Sequence, residues 1–203
     1  MGANQSVPNI FRLGRNSCGG AHVGMAAIPE TDRMPAKDAI ALLKEDHRKV
    51  EDLFEKYETA RGKKAEIAKK ICMELIIHTM VEEEIFYPAC REAGVDSDMM
   101  DEANVEHDGA KVLIAELEAG SPDDEFYDAK VKVLSEEIKH HVKEEEKRGG
   151  IFTEARQQEL DLEALGEKIA ARKEELKAQF EKNGLPKPVT LTMSAKPLEQ
   201  RAA

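Results

Sequence analysis

The chain has 203 residues and is rich in Glu, Lys, Ala and Leu, with aromatic residues at 4% and no tryptophan, a composition that favours helices over sheets. Its formal net charge of −11 argues against a general nucleic-acid-binding surface, and the lack of any long apolar run argues against a membrane-spanning helix. Cys18, Cys72 and Cys90 form no close pair and no zinc spacing, which suits a reducing, cytoplasmic setting with Cys72 as core filler and Cys90 as a loop-adjacent thiol.

Residues 1–35 are punctuated by glycine and proline at Pro8, Gly14, Gly19, Gly20, Gly24, Pro29 and Pro35, and read as a flexible arm. The run GGAHVG within it lacks the lysine and the preceding strand of a phosphate loop, so His22 is expected in solvent. The start, MGANQS, fits the loose myristoylation pattern, but no second membrane anchor follows.

A first helix is expected from about Lys37 to Ala60. Ile40, Leu43, Val50, Phe54 and Tyr57 recur at three- and four-residue steps, and His47 occupies a step in that series, so it faces inward. After Gly62 a second helix runs from about Lys63 to Tyr87, where Pro88 is expected to stop it. Its apolar face, Ile67, Ile71, Leu75 and Ile85, is interrupted by His78 and Glu82, four residues apart and therefore on one side.

The third helix, about Ser97 to Ala119, places His107 among Met100, Ala103, Ala110, Ile114 and Leu117. Gly109 weakens it by about 1 kcal/mol relative to alanine. The fourth, about Pro122 to Lys147, continues the stripe Tyr127, Val131, Leu134, Ile138 into His141 and Glu145. Gly149 and Gly150 break it. A charge-rich accessory helix is then expected from about Thr153 to Lys182, burying Leu160, Leu162, Leu165, Ile169, Leu176 and Phe180 and carrying no candidate ligand, before a flexible tail over 184–203.

These elements predict an all-α fold: an up-down-up-down four-helix bundle over residues 36–152, with the accessory helix over 153–183. Antiparallel packing brings His47, His78, His107 and His141 to one level, and the chain repeats itself, each half giving a lone histidine and then a His-x3-Glu helix. Imidazoles and carboxylates on core-facing stripes need a partner, and a metal supplies one. Two metals, each held by two imidazoles, with Glu82 and Glu145 as bridges, satisfy the set. Mixed nitrogen and carboxylate ligation suits iron first and manganese next. His140 falls about 100° off the stripe and reads as exposed or supporting. Glu83, Glu84, Glu144 and Glu146 read as solvated faces, with Glu83 able to help neutralise the site.

The segments KEDHRKVEDLF around His47, HTMVEEEIFYP from His78, VEHDGAK around His107 and HHVKEEE followed by IF from His140 resemble, in that order, the hemerythrin-like family of HHE cation-binding domains. The resemblance spans about residues 36–155. It implies a four-helix bundle holding a non-haem diiron centre, oxo- or hydroxo-bridged, that binds dioxygen or a related small ligand. It also implies His47, His78, His107 and His141 as terminal ligands and Glu82 and Glu145 as bridging carboxylates. The reversible oxygen carriers of that family have a second histidine one turn after the third-helix ligand, where this chain has Lys111. Their last bridging acid lies five residues after its histidine, whereas Glu145 lies four after His141. One iron is then left open to water, peroxide, nitric oxide or a nearby Tyr57, Tyr87 or Glu83 oxygen, and Lys111 is a candidate donor to a bound ligand.

The expected function is a soluble diiron protein that binds or senses O2, NO or peroxide, extended at most by weak peroxide disproportionation. The alternative is an iron-binding storage or stress-associated protein whose site is structural, with self-association through the charged C-terminal helix compatible with either. A ferritin-like oxidase needs Glu-x-x-His helices that are absent, and no serine or cysteine nucleophile shares the histidine layer.

Overall fold

The computed structural model describes residues 37–193, and the expected arm, with Cys18 and His22, lies outside them, as does the tail beyond Met193. The described residues form helices and connecting turns, with no strand: α1 (Ala39–Thr59), α2 (Lys64–Val81), a π-helical turn (Glu82–Phe86), α3 (Tyr87–Ala93), α4 (Ser97–Ala119), α5 (Tyr127–Glu146), α6 (Ile151–Gln157) and α7 (Leu162–Asn183). None of these helices is long and apolar enough to cross a membrane. Three starts are fixed by aspartate caps, which satisfy amide groups that the first turn leaves open. Asp38 accepts from the Ala41 amide at 2.7 Å, Asp96 from that of Asp98 at 3.0 Å, and Asp161 from that of Ala164 at 2.9 Å.

α1 packs on α2, α4 on α5, and α2 on α4, so the histidine-bearing helices enclose a common interior. The long helix α7 lies along α1 and α2. That placement explains why α2 is buried well beyond its predicted stripe, at Ala68, Cys72, Ile76, Ile77 and Val81 as well as Ile71 and Leu75. α7 itself buries Leu165, Ile169, Leu176 and Phe180, while Leu160 and Leu162 are only half-buried. Gly166 sets the distance of approach, since a Cβ there would come within 2.3 Å of the Lys37 carbonyl oxygen.

Pro88 does not end the second helix. Proline lacks an N–H and its ring collides with the carbonyl four residues back, but the turn before it opens to π geometry, and the Tyr87 amide bonds the Glu82 carbonyl, five residues back. The helix therefore runs on to Ala93 and closes at Gly94, in the left-handed conformation (φ 88°). Cys90 is accordingly a fully buried helical thiol rather than a loop residue. α5 begins at Tyr127, later than expected, because the chain after Pro122 is taken up by turns closed by the Asp124 and Tyr127 amides. The accessory helix is two helices, α6 and α7, separated where Glu159 takes a positive φ of 55°. Gly150 allows the turn from α5 into α6, because a Cβ there would lie 2.3 Å from the Glu144 carbonyl oxygen.

Candidate metal centre

His47 from α1, His78 from α2, His107 from α4 and His141 from α5 are all buried, as are Glu82 and Glu145. Their ring Nε2 atoms meet in two pairs: His47 with His78 at 3.2 Å, and His107 with His141 at 3.2 Å. Each carboxylate lies between the pairs. Glu82 Oε2 is 3.1 Å from His78 Nε2 and 3.4 Å from His107 Nε2, while Glu145 Oε2 is 3.3 Å from His47 Nε2 and 3.5 Å from His141 Nε2. All six predicted residues thus converge. Two groups offer ligand atoms within 4.8 Å of one another, namely His47, His78, Glu82 and Glu145, and Glu82, His107 and His141.

The outward nitrogens face a second ring of acids, placed by the sequence on solvated faces or not singled out by it, and three of the four are hydrogen-bonded to it. His47 Nδ1 donates to Glu146 at 2.8 Å, His107 Nδ1 to Glu83 at 3.0 Å, and His141 Nδ1 to Glu106 at 2.8 Å. His78 Nδ1 sits 3.5 Å from Asp46 Oδ2. Every one of these acids is the sequence neighbour of a cluster residue, yet serves a histidine on another helix. Asp46 precedes His47 and faces His78; Glu106 precedes His107 and binds His141. Glu83 follows Glu82 and binds His107; Glu146 follows Glu145 and binds His47. The two halves of the chain exchange the same contacts, which gives the repeat a structural meaning that was readable in its doublets, Asp-His with Glu-His and Glu-Glu with Glu-Glu. A carboxylate on Nδ1 fixes the ring and leaves Nε2 as the inward, metal-facing atom.

Cations back three of these acids and an imidazole lies behind the fourth. Lys44 and Arg48 pair with Glu146, Lys173 of α7 with Asp46, Lys111 with Glu83, and the exposed His140 lies 3.4 Å from Glu106. α7 therefore carries no ligand but does touch the support of one. Glu84 and Glu144 remain outside, paired with Arg172 and Lys147.

Burial disfavours charge on His47, His78 and His107, but the adjoining acids outweigh it. His47 and His107 are raised above the ordinary imidazole value, and Glu82 with Asp46 raises His78 to about 10. Burial would likewise raise Glu82, yet the imidazoles beside it hold its carboxyl well below the usual range. The cluster is built to hold positive charge against its carboxylates.

Of the four candidates to complete a coordination shell or donate to a bound ligand, the geometry separates Tyr87 from the rest. Its hydroxyl donates to Glu145 Oε1 at 2.8 Å and lies 3.4 Å from Glu82 Oε2 and 3.5 Å from His107 Nε2. An undisturbed α-helix would put Tyr87 about 140° around from Glu82, and the π turn removes about 100° of that. Pro88, the residue expected to end the helix, thus accompanies the turn that aims Tyr87 inward. Burial and the two carboxylates push the phenol well above its ordinary value, so it stays protonated and donates. Tyr57 is elsewhere, its hydroxyl on Asp128 at 2.7 Å. Glu83 is engaged by His107 Nδ1, and Lys111 points to Glu83 at 2.7 and 2.8 Å rather than to the cluster. Phe152, stacked on His47 at 5.7 Å, does for that ring what Tyr87 does for His107 at 5.6 Å, but without a hydroxyl. The two halves are chemically unequal.

A cation suits this donor set on an observation independent of any analogy. Glu82 Oε1 and Glu145 Oε2 are buried without a hydrogen-bond donor, so each carboxylate keeps lone pairs that the neighbouring imidazoles do not take up and a cation would. On the histidine side, a cavity of ≈ 10 Å³ is bordered by all four imidazoles and by Val50, Leu75, Ile138 and Val142.

A helical protein that brings four imidazoles and two carboxylates into one buried cluster, three of the imidazoles hydrogen-bonded from behind by an acid and the fourth facing one, belongs to the class of cation-binding helical domains. The chain belongs to the hemerythrin family: the model of the hemerythrin HHE cation-binding domain matches residues 38–148. The fold is similar to the crystal structure of a hemerythrin HHE cation-binding domain-containing protein from Mycobacterium kansasii, with a TM-score of 0.58 and 21% identity over 73% of this chain and 95% of that one. A search of functionally curated proteins gives no match.

Proposed function

We propose that the chain is a non-haem diiron protein that binds or senses a small ligand such as O2, NO or peroxide. His47 and His78 would hold one iron and His107 and His141 the other, with Glu82 and Glu145 reaching both. α1, α2, α4 and α5 would form the up-down-up-down bundle around them. Manganese is the second candidate for the same donors. Paired iron supplies reversible one-electron chemistry at each ion and a Lewis-acidic position for a small ligand.

The observation that carries this reading is the cavity bordered by all four imidazoles. Its ≈ 10 Å³ is about one water-sized position, a scale nearer to a small inorganic ligand than to an organic substrate. Val50, Leu75, Ile138 and Val142 give the cavity apolar walls, and Asp46, Glu74 and Thr79 complete its lining beside the imidazoles. Tyr87 adds a protonated hydroxyl on the carboxylate side, a donor held beside the His107 half. A storage role fits this geometry less well, because the candidate donors fall into two compact groups that share Glu82 rather than lining a space for a growing deposit. The test is anaerobic loading with ferrous iron, followed by absorption spectra before and after O2 or NO. Two irons per chain and a ligand-dependent spectrum are expected; two irons with no response would leave the structural reading in its place.

A further inference from the structure

Asp108 is fully buried on α4 beside His107, yet it takes no part in the cluster. Its carboxylate instead accepts four hydrogen bonds from the segment that follows α7: from the Leu191 amide at 3.0 Å, the Thr192 amide at 2.5 Å, the Thr192 hydroxyl at 2.7 Å and the Met193 amide at 3.0 Å. On its other side, Asp108 Oδ1 lies 3.5 Å from Lys111 Nζ, and Lys111, only 4% exposed, donates to both oxygens of Glu83. Glu83 in turn holds His107 Nδ1 at 3.0 Å. Residues 191–193 are thus joined to a ring of the cluster through Asp108, Lys111 and Glu83 without a break. The stretch from Pro186 to Leu191 borders the same groove as Glu83 and Lys111.

The other half has no such arrangement. Glu146, the counterpart of Glu83, is backed by Lys44 and Arg48, whose side chains are 43% and 56% exposed. That support stands in solvent, whereas Lys111, on the side where residues 191–193 lie, keeps only 5% of its side chain exposed and the Glu83 it holds keeps 12%.

Resting on the dimetal reading above, we infer that residues 191–193 are a clip that sets how firmly the His107 and His141 half retains its cation, with Asp108, Lys111 and Glu83 as positioning residues. Detaching the clip admits water to the Lys111–Glu83 pair. A hydrated pair is weak, and Glu83 is then free to leave Nδ1, so His107 loses its fixed orientation. The His47 and His78 half, held from the opposite side, is unaffected.

The experiment is release of ferrous iron from anaerobically loaded full-length protein to a colorimetric chelator. Thr192→Pro removes an amide and a hydroxyl from the clip without touching the helices, and Lys111→Met breaks the relay inside. In both, one of two irons is expected to leave about 10–100-fold faster, the factor by which losing a group that orients a ligand weakens metal affinity, while the other keeps its wild-type rate. Lys111→Arg should restore most of the retention. In a His141→Ala background, which keeps the His47 and His78 half, Thr192→Pro should change nothing. Wild-type release of both irons from Thr192→Pro, or equal acceleration of both, would overturn the clip. A wild-type chain that takes up no iron would overturn the dimetal reading itself, a distinct result.

Discussion

The hydroxyl of Tyr87 donates to Glu145 Oε1 across 2.8 Å, joining the π turn of one helix to the carboxylate of another in the middle of the candidate site. The contact depends on two backbone events far from α5: the opening of the turn at Glu82–Phe86 and the continuation of the helix past Pro88. Tyr87→Phe keeps the ring stacked on His107 but leaves a buried carboxylate oxygen without its donor. A hydrogen bond to a charged group contributes about 1.5–3 kcal/mol, so urea unfolding of metal-free protein should show a loss of that size. No loss would mean that the hydroxyl finds no partner in solution.

Glu82, like Glu145, approaches histidines of both pairs and has one buried oxygen without a donor. Glu82→Gln removes the negative charge between His78 and His107. Elemental analysis of reloaded protein should show both ions lost or weakened, not one, because the carboxylate faces both halves. Breaking a buried pair in this way costs about 3–5 kcal/mol, whereas Glu84→Gln, which breaks the half-exposed pair with Arg172, should change stability by about 1 kcal/mol or less. Equal effects of the two substitutions would place Glu82 outside any shared site.

The pattern of histidines and acids was legible because it lies on helical stripes: the same periodicity that marks Leu134 and Ile138 as core marks His141 and Glu145 as inward. Less legible was what the outer acids do. Asp46, Glu83, Glu106 and Glu146 each sit one residue from a cluster residue, about 100° around the helix, and on a single helix that direction is surface. Only the neighbouring helix turns it into an interior contact. Pro88 misled for a related reason, since proline breaks the α pattern but tolerates a π turn, and nothing local distinguishes the two outcomes. The clip on Asp108 was invisible because Leu191, Thr192 and Met193 donate chiefly through backbone amides, which any sequence possesses.

The histidines give the site a pH signature with a definite sign. His78 has a folded value of about 10 against 6.5 for a free imidazole, so its protonated form stabilises the metal-free fold. That contribution is fully present below about pH 6.5 and is lost as pH rises through about 10. Metal uptake runs the other way, because a ligating imidazole must be deprotonated. Apparent affinity should rise with pH over the same window, by about tenfold per unit for each proton displaced, and loading in a weakly buffered indicator solution should acidify it. Uptake without proton release would show that the histidines are already neutral, contrary to their ring of acids.

Gly166 tests whether α7 belongs to the site's support or merely lies beside it. A Cβ at that position would meet the Lys37 carbonyl oxygen at 2.3 Å and the Ala39 amide nitrogen at 3.0 Å, both backbone atoms that cannot rotate away. Gly166→Ala must therefore push α7 from the start of α1, with an overpacking cost of about 1–3 kcal/mol, although alanine is the better helix former. The shift should reach the cluster through Lys173, which holds Asp46 opposite His78. Thermal melting should fall, and iron release from the His47 and His78 half should quicken while the other half stays unchanged. This is the reverse of the selectivity expected when the clip on Asp108 is opened, so the two substitutions together distinguish the two halves.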